Sequence, residues 1–285
     1  MSKLYVVGTP IGNLSDISKR AIETLKNVDN ILCEDTRHSL KLLNHYEIKN
    51  KLISYHKFNE KEKTNSIIKK IKENDISIAL ITDAGMPCIS DPGYILIQAC
   101  HENNIEVIGV GGISALTTAI SVSGLNSDSF SFYGFFPRET KEKKELIAKL
   151  KASKINVVIF YESPKRIIKT LEYLLTNLGD NKISLSSDLT KLYEKTTYGK
   201  ISDIIKILEE SSKATLGEYT LVLELDNNEE LTKEDISIEA KLFDTILKNN
   251  VTLKEAIEAL NKKEPNLPKN AIKEAALNLK NKIRM

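Results

Sequence analysis

A chain of 285 residues exceeds the usual reach of one domain, so two domains with an appendage are expected. Hydrophobic residues at 41% and charged residues at 28% describe a soluble globular protein, and a net charge of +2 neither requires nor excludes a nucleic-acid partner. There is no apolar run of membrane-spanning length, and residues 1–14 lack the basic start and long apolar core of a signal peptide. Three widely spaced cysteines (Cys33, Cys88 and Cys100) suit a reducing cytoplasm and exclude a CxxC metal site, so a cytoplasmic protein without membrane attachment is expected.

Taken in chain order, residues 4–7 predict a short strand that ends in Gly8-Thr9-Pro10-Ile11-Gly12-Asn13. Ser15 or Asp16 is placed to cap a helix running to Lys26. A second strand over 30–33 leads into Glu34-Asp35-Thr36-Arg37-His38 and a helix to Tyr46. A segment over 51–55 precedes His56-Lys57-Phe58-Asn59-Glu60 and a charged helix to Asn74. Residues 76–81 are too continuously apolar for a half-exposed strand and predict one buried on both faces. That strand breaks into Asp83-Ala84-Gly85-Met86-Pro87 and then Ser90-Asp91-Pro92-Gly93, followed by a helix over 94–104. A strand over 105–110 runs into Gly111-Gly112-Ile113-Ser114-Ala115 and a helix over 116–123. Alternation of this kind predicts an open, mostly parallel α/β sheet over residues 1–125.

Residues 126–228 read as a second, smaller α/β domain, with strands over 130–136, 156–161, 182–187 and 218–225 and helices over 141–151, 167–177 and 202–210. A polar linker is expected over 226–232. From 229 to 285 the periodicity is helical throughout, with helices over 236–248, 253–261 and 270–280 and tight turns between them, which predicts a helix-turn-helix-like extension. Its charges nearly balance, so it is not a strongly basic DNA-binding module.

Ligands in such sheets bind where strands end. The glycines after the first strand lack the GxGxxG spacing of a dinucleotide site, and Pro10 removes an amide that would cradle a pyrophosphate. No P-loop, nucleophile elbow or HExxH spacing occurs, and the four histidines are scattered, so no metal site is expected. Polar residues recur instead at strand ends: Glu34, Asp35, Arg37 and His38; His56, Asn59 and Glu60; Tyr161, Glu162 and Arg166. Their convergence on one cleft, with 76–93 as its ligand loop, is the simplest account of the pattern.

VVGTPIGNLSDIS, ILCEDTRHS, HKFNE, TDAGMPCISDPG, GGISA, FYESPKR and GEYTLVLE, in this order and spacing, resemble the tetrapyrrole-methylase superfamily, and within it the branch acting on small-subunit ribosomal RNA. The resemblance covers roughly residues 3–280. It implies two unlike α/β domains with the cofactor in the cleft between them, a homodimer, S-adenosylmethionine as methyl donor, and the ribose 2′-oxygen of a cytidine in 16S rRNA as acceptor. Carried over by position, it puts cofactor contacts on Pro10, Asp83, Ala84, Gly85, Met86, Ile89, Ser114 and Ala115, and in the second domain on Tyr161, Glu162, Leu189, Tyr219 and Thr220. A ribose hydroxyl is a poor nucleophile, so a general base is expected, and Glu34, Asp35, His56 and Glu60 are the catalytic candidates, with Asp83 besides. Arg37 and Arg166 would hold a phosphate or orient a carboxylate, and Asn59 would position substrate. Gly111-Gly112-Ile113, Ser187-Asp188, Lys165 and Leu216 depart from the branch's usual residues. Methylation of a tetrapyrrole or of diphthine, and a weakly active RNA-binding assembly protein, are the alternative readings.

Overall fold

Strands that are apolar along almost their whole length are stable only when both faces are covered. The computed structural model, which describes residues 2–211, 214–226, 237–264 and 267–283, builds β1 (Lys3–Val7), β2 (Asn30–Cys33), β3 (Lys51–Ser54), β4 (Ser77–Leu80) and β5 (Glu106–Val110) into one sheet. Their order is β3-β2-β4-β1-β5, and every pairing is parallel. The intervening helices are α1 (Lys19–Asn27), α2 (Thr36–His45), α3 (Glu60–Asn74), α4 (Tyr94–Glu102) and α5 (Ala115–Ser121). Because strand side chains alternate, Leu4, Val6, Ile78 and Leu80 pack with Ile67, Ile71 and Leu96 on one face. Val7, Ile31, Ala79 and Ile81 pack with Ala21, Leu25 and Leu43 on the other.

The start of α1 differs from the sequence expectation. Residues Leu14–Asp16 form a single 3₁₀ turn capped by Asn13, whose Oδ1 accepts the Ser15 N–H at 3.0 Å. With Ser15 and Asp16 used in that turn, the helix begins at Lys19, and Ser18 caps it by accepting the Ala21 N–H at 3.1 Å.

The second sheet is mixed. It contains β6 (Phe130–Phe135), β7 (Val157–Glu162), β8 (Lys182–Ser187), β9 (Lys195–Lys200) and β10 (Tyr219–Glu224) in the order β6-β7-β10-β8-β9. Only β6 and β7 run parallel; the other pairings are antiparallel. Strand β9 was not expected from the sequence. As an outer strand it is half exposed, and KTTYGK carries no apolar alternation to announce it. Helices α6 (Thr140–Lys151), α7 (Ile167–Leu178) and α8 (Ile201–Glu209) cover one face, over a core that includes Val158, Phe160, Leu171, Ile204 and Leu221. The opposite face presents Val157, Ile159 and Val222 to Ala119 and Ile120 of α5 and to Ile11 of the loop after β1, so the two sheets share a core. Both lie in one compact unit, Met1–Asp226.

A second compact unit, Asn227–Met285, contains α9 (Ile238–Asn249), α10 (Leu253–Lys263) and α11 (Lys269–Ile283) around Leu242, Leu260, Ile272 and Ala275. Thr252 and Glu255 form a reciprocal capping box at the start of α10. Beyond Asp226 the expected linker, like the expected helix start at residue 236, lies outside the described residues. Among the described residues no helix is long and apolar enough to cross a membrane.

Candidate functional site

A parallel sheet brings all its strand C-termini to one edge, so the loops after β1 to β5 meet there. The loops after β1 and β4 are tied together: the Thr9 N–H donates to Gly85 O at 2.9 Å, and the Gly85 N–H donates to Thr9 O at 3.1 Å. Gly85 holds φ +84°, which a glycine adopts without strain. The loop after β5 presses against that after β1 so closely that a Cβ on Gly8 would lie 2.7 Å from Gly112 Cα and 2.6 Å from Met86 Sδ. Within the loop after β4, Cys88 and Ser90 sit at φ 68° and 74°, sparsely populated values that cluster at ligand-binding segments. Glu60, buried at the start of α3, holds the end of this loop by accepting the Gly93 N–H at 3.4 Å.

A cleft of about 420 Å³ opens at this edge. Pro10, Asp83 and Ala84 of the expected cofactor set line it, joined by His38 and Lys41 of α2 and by Lys191 and Glu218 from the second sheet. Gly85 lies beside it through its pairing with Thr9, and Met86 packs beside Gly8 and against the core of the first sheet. Ile89 is partly exposed on the same loop. Ser114 precedes α5, and Ala115 packs with Leu189 in the core between the sheets. Tyr161 joins the sheets directly, its hydroxyl accepting the Leu116 N–H at 3.2 Å.

Of the expected cofactor contacts only Pro10, Asp83 and Ala84 line the cleft itself, and Glu162, Tyr219 and Thr220 are buried in the second sheet. The Glu162 side chain has no exposed surface; it accepts the Ser163 N–H at 2.7 Å and the Thr170 hydroxyl at 2.6 Å, and lies 3.4 Å from Arg166. Tyr219 is buried with its hydroxyl donating to Ala214 O at 3.1 Å, and it borders a separate hollow of about 390 Å³. Thr220 is buried in β10. Arg166 donates to Phe136 O and Pro137 O, both at 2.8 Å, so its guanidinium is committed within the fold.

The strand-end carboxylates are differentiated by their surroundings. Burial pushes the Glu34 carboxyl up, and the Asp83 charge adds to the effect. Asp91, which the sequence reading left without a role, is pushed up to about 6 by burial and then by Glu34. Its signal was hidden because eight positions separate it from Asp83, and only the turn of the loop brings both near Glu34. Asp35 goes the other way. Its side chain accepts from Arg37 Nε and Nη2 at 3.3 and 3.0 Å and from the Arg37 N–H at 2.8 Å, which holds the carboxyl near about 2. The Asp35 N–H in turn donates to Asp83 Oδ1 at 3.4 Å. His56 Nε2 lies 3.0 Å from Asn59 Nδ2, and its Nδ1 is buried with no hydrogen-bond partner among the described residues. Among the described residues no group of three His, Cys, Asp or Glu side chains could hold a metal ion.

These features define a two-sheet α/β protein whose small-molecule cleft lies at the strand-end loops of the parallel sheet. The sequence profile of the Tetrapyrrole (Corrin/Porphyrin) Methylases matches residues 3–205. A Thermotoga maritima protein called ribosomal RNA small subunit methyltransferase I is 46% identical over 202 residues, spanning 71% of this chain and 90% of the relative. A protein of the same name from Buchnera aphidicola subsp. Schizaphis graminum is 40% identical over 276 residues, spanning 95% of this chain and 96% of the relative. The chain belongs to the tetrapyrrole methylase family, in the branch of the ribosomal RNA small subunit methyltransferases I. Among solved structures, a diphthine synthase superposes with TM-score 0.60 at 14% identity, covering 78% of this chain and 90% of its own. Uroporphyrin-III-C-methyltransferase from Thermus thermophilus gives 0.54 at 18%, covering 79% and 94%; these two likenesses concern the fold alone.

Proposed function

We propose that the protein transfers a methyl group from S-adenosylmethionine to the ribose 2′-oxygen of a cytidine in 16S rRNA of the small ribosomal subunit. The observation that carries this reading is the kinship with a small-subunit rRNA methyltransferase along 95% of the chain. The cleft fits the donor: about 420 Å³ is within the range of small-molecule sites, and the close approach of Gly8 to Gly112 sets the loops after β1 and β5 against each other at its edge. Asp83 on its wall suits a cationic ligand. When bound, S-adenosylmethionine supplies a methyl group on a sulfonium centre, which leaves as a neutral thioether as the oxygen attacks in line.

The residues divide the remaining work. Glu34 receives the proton of the 2′-hydroxyl, because burial keeps its basicity above that of an ordinary carboxylate. Asp35 is too weak a base for that step; it caps α2 and orients Arg37, whose side chain is 89% exposed and so within reach of a phosphate. Glu60 and Asn59 hold the loops from behind, and His56 stands beside Glu34. Glu162 and Arg166 brace the second sheet. Three free cysteines suit work on ribosomes in the cytoplasm, and the exposed Leu192, Tyr193 and Tyr198 offer a surface for a homodimer, which sedimentation would detect.

The test is incubation of the purified protein with labelled S-adenosylmethionine and 30S subunits lacking the mark. Label in one cytidine ribose is expected, and Glu34→Gln should lower kcat by roughly 10²- to 10⁴-fold while leaving donor binding intact. Label appearing only in a porphyrinoid or in a protein acceptor would overturn the reading.

A further inference from the structure

The turn between β3 and α3 is braced from several sides. The His56 N–H donates to Asn59 Oδ1 at 2.9 Å, the Asn59 and Glu60 N–H groups donate to His56 O at 2.9 and 3.0 Å, and Lys63 Nζ donates to Ser54 O at 2.8 Å. The Glu60 carboxylate, buried behind the turn, ties it to Gly93. A turn so held keeps its shape, yet it carries Phe58 with 95% of its surface open. The ring makes a tilted contact with His56, with centroids 6.1 Å apart and planes at 65°, and its exposure leaves a face open to solvent. An exposed large aromatic on a rigid turn forgoes the burial that a core position would provide. What it offers instead is a flat apolar face on the loop after β3, next to the loop after the paired strand β2 that carries Glu34.

Attack by a 2′-hydroxyl requires an accessible ribose, and RNA presents one where bases are unpaired and free to stack on aromatic side chains. We infer that Phe58 is the platform on which an unpaired base of the RNA substrate stacks, holding the target ribose at the edge where Glu34 and Asp83 lie. It is a positioning residue, and its role rests on the RNA-methyltransferase reading above.

Steady-state methylation of unmodified 30S subunits by the full-length protein tests this. Phe58→Ala should raise KM for the subunit by roughly ten- to hundred-fold, the span that loss of one stacked base predicts, with a smaller change in kcat. Donor affinity by calorimetry and the melting temperature should not change, because the ring is packed against so little of the protein. Phe58→Trp and Phe58→Tyr should restore KM, whereas Phe58→Leu should not. An unchanged KM in Phe58→Ala, or full restoration by Phe58→Leu, would overturn the inference while wild-type labelling of rRNA stands. A shift of Phe58→Ala to a smaller species in sedimentation, with KM following that shift, would assign the ring to an interface between copies and overturn it as well. Wild-type protein that places no label in rRNA would sink the parent reading, and this one with it.

Discussion

Surroundings act on the carboxylates of this site in opposite senses, burial raising Glu34 and Asp91 and the Arg37 hydrogen bonds lowering Asp35, and the consequences are measurable residue by residue. Asp91 stands near 6 in the fold against an ordinary 3.8, so between those values the native state binds more protons than the unfolded chain. The contribution of Asp91 to stability therefore falls as pH rises from about 4 to about 6, and the loss is fully expressed above that window. Asp91→Asn should flatten this part of the melting-temperature profile and melt above wild type at pH 7; scanning calorimetry from pH 4 to 8 checks both. Because a raised carboxyl must shed its proton before it can act as base, kcat should climb with pH above the ordinary carboxylate range, and Glu34→Gln should remove that limb. Glycine positions make an equally sharp contrast. Gly8→Ala would drive a methyl to 2.7 Å from Gly112 Cα, an overpacking worth roughly 1–3 kcal/mol, and should abolish donor binding. Gly111→Ala meets nothing within 4 Å and should leave the urea midpoint where it is.

At the scale of elements, boundaries follow capping chemistry more than hydrophobic period. Ser18 rather than Ser15 starts α1 because Asn13 has already turned the chain. Helix α7 begins over a buried carboxylate: Glu162 ends β7 and bonds to Ser163 and Thr170, with Arg166 beside it. Removing it leaves two donors unpaired and takes the charge partner from Arg166, so Glu162→Ala should cost roughly 3–5 kcal/mol in urea unfolding, and Glu162→Gln distinctly less. The elements that were legible in sequence are those whose residues are apolar on both faces, such as β2 and β4, or amphipathic at helical spacing, such as α1 and α8. Strand β9 was not legible, because its stability comes from a ladder to β8 and its own side chains are half in water.

For the molecule as a whole, the decisive feature is the shared core. Ile11 and α5 from the first sheet meet Val157, Ile159 and Val222 of the second, so the loops of the site are buttressed from behind by another sheet. The Tyr161 hydroxyl adds a polar tie to that apolar contact. Tyr161→Phe should cost about 1 kcal/mol and weaken donor binding several-fold, read by chemical denaturation and calorimetry. The three C-terminal helices close their own core around Leu242, Leu260 and Ile272. A chain ending at Asp226 should therefore still unfold cooperatively and bind donor, which circular dichroism and calorimetry would show.

Much of this architecture is written locally. The succession of strands and helices in the first sheet and its parallel character follow from apolar periodicity and turn residues, which act over a few positions, and the strand-end motifs carry the resemblance to the family branch. Which of those polar residues work together could be decided only in three dimensions. Glu34 and Asp91 acquire their electrostatic character from burial and from the carboxylates near them, while Asp35, adjacent to Glu34 in sequence, is drawn away by Arg37. Glu162 and Arg166, equally polar and equally placed at a strand end, face inward and brace the fold. The 76–93 segment is a ligand loop in sequence; it becomes a wall of the cleft because Thr9 and Gly85 pair across strands and Glu60 anchors its far end. Charge and burial are properties of surroundings, and surroundings exist only once the sheet has gathered its strand ends on one edge.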